Sequence, residues 1–302
     1  MNEHSHSQRQ SPWAEEFDDF VRAASGGFLF GIPLLYTMEV WWIGAFSEPA
    51  RMLVALLVTF GAVFLINYSC GFRRRPTTSV AQNLMETTQA LAISLLCSAA
   101  VLIILRRITL DTPAEAALGI AIFEAVPFAF GVAITNQLLS GDRAGNDEDD
   151  GDSGDQPGDG QQALLPHSGP WRDTLNDFGS TAIGATIIAF AIAPTEEVTM
   201  LAAGITPPWL LALIIFSLLI TYGIVFEAEF ADPESRRRQQ GLFQHPLTET
   251  IAAYLVSIVL AALMLWFFKQ VTLDDPWHIW LERALVLGLP AAVGGAAGRI
   301  AI

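Results

Sequence analysis

Apolar residues gather in eight long runs separated by polar breaks. The runs are Gly26–Phe46, Met52–Cys70, Leu84–Leu105, Ala114–Leu139, Thr181–Gly204, Trp209–Phe230, Leu247–Phe268 and Leu281–Ile300. About 20 apolar residues are enough to cross a ~30 Å hydrocarbon core as an α-helix. The pattern therefore predicts an all-α membrane protein with eight transmembrane helices. Ahead of the first run, Trp13, Phe17, Phe20 and Val21 share a helical face opposite Glu15, Glu16, Asp18 and Asp19, which predicts a short helix on the membrane surface. Ser140 to Ser168 is Asp/Gly/Gln-rich and has too little apolar surface to bury, so it is expected to be a disordered linker.

The runs fall into two matching sets. At an offset of 158, Pro12-Trp13 recurs as Pro170-Trp171, Thr37 as Thr195, Glu39-Val40 as Glu197-Val198 and Pro49 as Pro207. Five residues are inserted near 228–235, and the offset becomes 163. From there Arg73-Arg74-Arg75 matches Arg236-Arg237-Arg238, and Glu86-Thr87 matches Glu249-Thr250. Thr109-Leu110-Asp111 matches Thr272-Leu273-Asp274, Pro113 matches Pro276, Pro127 matches Pro290, and Gly131 matches Gly294. The expected organisation is a tail and surface helix (residues 1–25), a first four-span repeat (26–139), the acidic linker (140–169) and a second repeat (170–301). Four spans per repeat is an even number, so both repeats enter from one side and run parallel. Of the 16 Lys and Arg residues, 11 fall on the side of the termini and the arginine triplets, which predicts that this side is cytoplasmic.

Composition agrees and narrows the partners. The chain is 52% hydrophobic and 16% charged, with a mean hydropathy of +0.42, against about 25% charged in soluble domains. Eight acids lie between Asp142 and Asp159. Without that stretch the remaining 23 acids and 15 bases still net −8, which argues against nucleic acid as a partner. The lipid bilayer is the expected partner, and a homo-oligomer is compatible with the pattern. Cys70 and Cys97 form no spacing motif, so neither a disulfide framework nor a zinc site is predicted, and no cofactor is implied. The first 25 residues lack a basic segment followed by an apolar one, so no cleavable signal is expected.

Chemistry concentrates where charge enters an apolar run. Glu39 and the pair Glu196-Glu197 lie past the middle of their runs, where a charged carboxylate costs about 2.5–3.5 kcal/mol on insertion scales. The predicted ion-binding set is Glu39, Glu197, Glu196, Thr37 and Thr195, taking H⁺ or a hard metal cation through oxygen ligands. The alternative is that these acids only join helices by hydrogen bonds. Thr37 and Thr195 precede their glutamates by two residues, about 200° around a helix, so they share a site only where the backbone is irregular. Pro194 allows that by removing a hydrogen bond to Phe190. Glu86 and Glu249 begin the third and seventh spans, placed either as cytoplasmic acids that attract cations or as helix-end charges. Asn67, Tyr68, Gln89 and Tyr222 are candidates to line the same path. Pro127 and Pro290, with Pro194, are candidate hinges; the first two free the carbonyls of Phe123 and Val286. Glu124 faces Leu287 in the alignment, so it is polar in one half only. Gly294 and Gly298 predict a small-residue helix contact.

No enzyme is expected. Glu196-Glu197 is similar to the start of the Glu-Glu-x-x-x-Arg motif of intramembrane CAAX-type proteases, but Leu201 stands at the arginine position and no histidine lies within a span. His-Glu-x-x-His and Gly-x-Ser-x-Gly are both absent. The plan of one acidic motif per half is similar to that of small cation/proton exchangers, whose Glu-x-Gly-Asp signature is missing after Glu39 and Glu197. Outside the linker, the eight runs in two halves resemble a bacterial family of integral membrane proteins. That resemblance implies the inner membrane and no particular activity. The first functional expectation is a cation or proton channel or secondary transporter. The second is a non-transporting scaffold or sensor acting through its cytoplasmic loops.

Overall fold

The computed structural model describes residues 12–74, 79–143, 170–227 and 246–301. The acidic stretch after Arg143, Arg75, the second arginine triplet and the N-terminal histidines lie outside the described residues. Every regular element among those residues is helical. They are α1 (Pro12–Leu35), α2 (Met38–Ala45), α3 (Pro49–Arg74), α4 (Val80–Ile104), α5 (Ala114–Arg143), α6 (Pro170–Ile192), α7 (Glu197–Gly204), α8 (Pro207–Tyr222), a π-helical turn (Gly223–Glu227), α9 (Pro246–Phe267) and α10 (Trp277–Ala301).

Six of these helices, α3, α4, α5, α8, α9 and α10, are each long and apolar enough to cross a membrane. The runs expected as the first and fifth spans are both bent. Glu16–Leu35 meets Met38–Ala45 at 94°, and Phe178–Ile192 meets Glu197–Gly204 at 91°. The surface helix expected before the first span is the beginning of α1, continuous through to Leu35. The hydroxyls of Thr37 and Thr195 explain much of the breaks. Thr37 Oγ1 donates to Leu34 O (2.8 Å) and Thr195 Oγ1 to Ile192 O (2.7 Å), so each hydroxyl occupies a carbonyl that a continuing helix would use. Proline helps in both places. Pro33, inside α1, cannot donate to Leu29, and Pro194 stands in the second break.

α5 and α10 are the axial helices. α5 packs against α1, α2, α3 and α4, and α10 against α6, α7, α8 and α9. Glycines bring the closest pairs together. A Cβ on Gly26 would lie 2.9 Å from Gly131 O on α5, and one on Gly294 would lie 2.6 Å from Gly184 O on α6. Gly298 packs on Ser180, so the glycine contact read from the sequence is made with α6. Along α1, Gly26 faces Gly131 and Thr135, Gly31 faces Phe128, and on α2 Gly44 faces Gly119. The order runs backwards along α5, so α1 and α5 are antiparallel. α6 and α10 are antiparallel by the same reasoning. Outward faces are apolar, for example Leu53, Leu57 and Leu65 on α3 and Leu211, Ile215 and Leu219 on α8. Three buried serine hydroxyls bond back to carbonyls four residues earlier. Ser94 donates to Ala90, Ser257 to Ala253, and Ser217 to Leu213, so none needs water.

Two loops close the bundle at the far ends of α4 and α9. Arg106 (φ 60°) and Lys269 (φ 59°) are left-handed, and each ends its helix in a Schellman motif. Arg106 N donates to Ile103 O and Arg107 N to Leu102 O; Lys269 N donates to Trp266 O and Gln270 N to Leu265 O. A basic residue at a helix C-terminus also suits the dipole there. Further on, Asp275 Oδ2 accepts from Thr272 N (2.7 Å) and Thr272 Oγ1 (2.9 Å). The Thr272 backbone bond, more than any other contact, holds this exposed carboxyl below the ordinary Asp range. A carboxylate with a depressed value contributes stability that is present above its unfolded pKa and is lost as pH falls through its folded one. Acidification should therefore lower the amide protection factors around Thr272 in the wild type and change them little in Asp275→Asn, as read by hydrogen exchange corrected for the intrinsic rate at each pH.

Candidate functional site

The two breaks carry the predicted acids and bring the halves together. Glu197 opens α7 and is buried. Its Oε1 accepts a long hydrogen bond (3.4 Å) from the backbone N of Met38, the first residue of α2. A carboxylate from one broken helix thus lies at the positive N-terminus of the other. Glu39, its counterpart in the alignment, is exposed on α2 and has no hydrogen-bond or ion-pair partner among the described residues. Glu196 is exposed as well. The matched acids are therefore unlike in their surroundings, and only one of them links the halves. Thr37 and Thr195 hold the helix ends, as described above.

Above the breaks, the loops contact the short helices in both halves with different chemistry. The Arg107 guanidinium lies 4.7 Å from the centre of the Trp41 ring, in a cation–π contact. Burial pulls the Arg107 guanidinium below its ordinary value. The matching pair in the second half is Gln270 and Thr199, where Thr199 Oγ1 donates to Gln270 Oε1 (3.4 Å). Gln270 Nε2 also donates to Pro194 O (3.3 Å), which ties the second break to the loop above it. Arg106 lies 5.2 Å from the Trp209 ring of the other half.

A buried polar group in the first half has no match in the second. Glu124, on α5, is 1% exposed, and its carboxyl approaches the indole of Trp41. Neither Glu124 Oε1 nor the indole N–H has a hydrogen-bond partner. Tyr36, in the first break, donates to Val286 O (2.7 Å) on α10. Val286 is the residue whose carbonyl Pro290 leaves without a helical donor, and a tyrosine from the other half supplies the missing hydrogen. α5 and α10 both continue as helices through Pro127 and Pro290.

One family model covers almost all of this architecture. It is described as Putative integral membrane protein (DUF2391), and it matches residues 19–302. The chain belongs to that family. Its several long apolar helices agree with the family's description as integral to the membrane. No curated protein and no solved structure matches the chain.

The remaining predicted residues of this family member lie elsewhere. Glu249, in the first turn of α9, pairs with Arg299 in the last turn of α10. Glu86 is half-buried and accepts from Gln82 Nε2 (3.1 Å). Asn67 Nδ2 donates to Thr87 Oγ1 (3.3 Å), Tyr68 and Gln89 are exposed, and Tyr222 is half-buried. Among the described residues, no group of three or more His, Cys, Asp or Glu could hold a metal ion. Sequence reasoning ranked Glu124 below the paired glutamates and gave no sign of Trp41, Arg107 or Tyr36. The one signal available was that Glu124 replaces Leu287.

Proposed function

We propose that this protein is a cation or proton pathway of the bacterial inner membrane, a channel or secondary transporter built from two parallel repeats. The observation that carries it is the carboxylate of Glu197 seated on the Met38 N–H, one broken helix facing the other. Broken helices with their N-termini at a buried site are how many transporters hold a charged substrate within the membrane. A carboxylate in that position has a functional explanation by default.

The helix directions support the repeat. If a bent pair entered and returned on one side, α3, α4 and α5 would follow as three crossings and leave α5 parallel to α1. The two are antiparallel, which supports reading each bent pair as one crossing. On that reading each half has four, both halves enter from the same side, and the distribution of basic residues favours cytoplasmic termini. Corresponding bends, left-handed residues and glycine contacts recur at offsets of 158 and 163, as two copies of one unit would require. One buried carboxylate at the breaks suits a proton or a monovalent cation better than a metal that needs several acidic ligands.

Reconstitution tests this directly. Wild type in proteoliposomes should pass protons or a monovalent cation under an imposed gradient. Glu197→Gln should reduce that flux to the level of protein-free vesicles while the protein stays folded, and Glu39→Gln should reduce it less. If no ion moves through the wild type, the pathway is wrong, and a scaffold or sensor role takes its place.

A further inference from the structure

We propose that Glu124 is a proton-binding site within the first half, its carboxyl protonated inside the membrane and its oxygen served by the Trp41 indole N–H once the proton leaves. The inference deepens the pathway reading, and rests on it only for the consequence that proton binding is coupled to flux.

The argument begins from burial. Glu124 is 1% exposed on the axial helix of its half, and no ion pair reaches it. An isolated carboxylate in such a place costs far more than the neutral acid, so a buried acid without a cation takes up a proton. The ionisable groups on the helices around α5 do not change this. α1 carries Glu15, Glu16, Asp18, Asp19 and Arg22 near its start, and Gly26 of that helix already packs at Gly131 and Thr135, about 10 Å along α5 from Glu124 at 1.5 Å per residue. Tyr36 follows α1, and its hydroxyl is bonded to Val286. On α2, Glu39 is exposed. Glu48 and Arg51, at the start of α3, are exposed too. On α4 there are Glu86, which is held by Gln82, and the buried thiol of Cys97. Arg107 lies over the face of the Trp41 ring, and no ion pair joins it to the acid.

Trp41 is what turns a buried acid into a reversible site. It is itself fully buried, and its N–H has no other partner while it lies beside the Glu124 carboxyl. When Glu124 releases its proton to water, the carboxylate left behind gains a donor on one side, and that bond becomes charge-assisted. Uptake reverses the step: the proton returns from water to the carboxylate, and the indole N–H bond loses its charge assistance. Arg107 acts through the ring: its positive charge polarises the indole and fixes its position. The second half has Leu287, Thr199 and Gln270 at these three places, so it carries no such acid. Two similar halves would thus divide the work, with proton binding in the first.

Infrared difference spectroscopy on the purified full chain in detergent reads this without transport. Wild type should show the carbonyl stretch of a protonated carboxylic acid near neutral pH, sensitive to deuterium exchange. Glu124→Gln should remove that band. Trp41→Phe, which keeps a ring beneath Arg107 and takes away only the N–H, should shift it. A band that persists in Glu124→Gln overturns the proposal. If that variant does not fold, an unshifted band in Trp41→Phe overturns it instead. Flux measurements on the same proteins keep the two ideas apart. The expected band with no wild-type flux would leave the proton site standing and remove the pathway. Flux lost in Glu197→Gln with no Glu124 band would do the reverse.

Discussion

Gly294→Val should prevent stable assembly of the second half, whereas Gly61→Ala should be tolerated or slightly stabilising. A Cβ on Gly294 would lie 2.6 Å from the carbonyl oxygen of Gly184 and 2.9 Å from Ile188 Cβ. The first of these is backbone, which cannot rotate away as a side-chain tip can. Overfilling a packed site costs about 1–3 kcal/mol, and more where the neighbour is rigid. Gly61 lies in α3 with no atom within 4 Å of its would-be Cβ, so alanine there brings only the helix preference of roughly 0.5–1 kcal/mol. Thermal unfolding in detergent, followed by helical circular dichroism, separates the two. Equal midpoints for both variants would show that the α6–α10 contact does not depend on close approach.

Tyr36→Phe should destabilise the joint between the halves, and Pro290→Ala should restore most of the loss. Tyr36 donates to Val286 O because Pro290 cannot. Removing the hydroxyl leaves a buried carbonyl unpaired, at about 1–3 kcal/mol. With alanine at 290 the helix gains an N–H that reaches Val286 in the ordinary way, so the carbonyl is satisfied again. In the wild-type background, Pro290→Ala makes the tyrosine share that acceptor and should change stability much less. A double-mutant cycle on unfolding free energies would therefore be strongly non-additive. An additive cycle would mean that the tyrosine and the proline act separately. The same tether argues against Pro290 as a freely moving hinge, since a bond from the other half holds its unpaired carbonyl.

The parts of the site that were legible in sequence differ in kind from those that were not. Glu39, Glu196 and Glu197 stood out because charge in an apolar run is rare and costly. Their inequality could not be read from the matched motifs, because exposure depends on which helix lies opposite. Glu197 meets Met38 across 159 positions of chain, and Tyr36 meets Val286 across 250. Contacts at such separations leave no local pattern. Arg107 and Trp41 each looked ordinary, a loop base and a span aromatic, and they acquire a role only by stacking.

By itself, the sequence determined that the protein is helical and integral to a membrane, where its long apolar stretches lie, and where charge interrupts the apolar runs. Those features follow from hydrophobic length and from intervals along the chain, which neighbours in space do not alter. Only the tertiary structure decided that two of the runs break at right angles, because a run of apolar residues is compatible with a straight or a bent helix. The outcome turned on threonine hydroxyls and on which carbonyls found other partners. The tertiary structure also decided that a carboxyl oxygen of Glu124 is buried without a hydrogen-bond partner, while Glu197 finds a backbone N–H. Hydrogen bonds and burial in a membrane must be satisfied by whatever the fold brings near, and distance along the chain does not specify that.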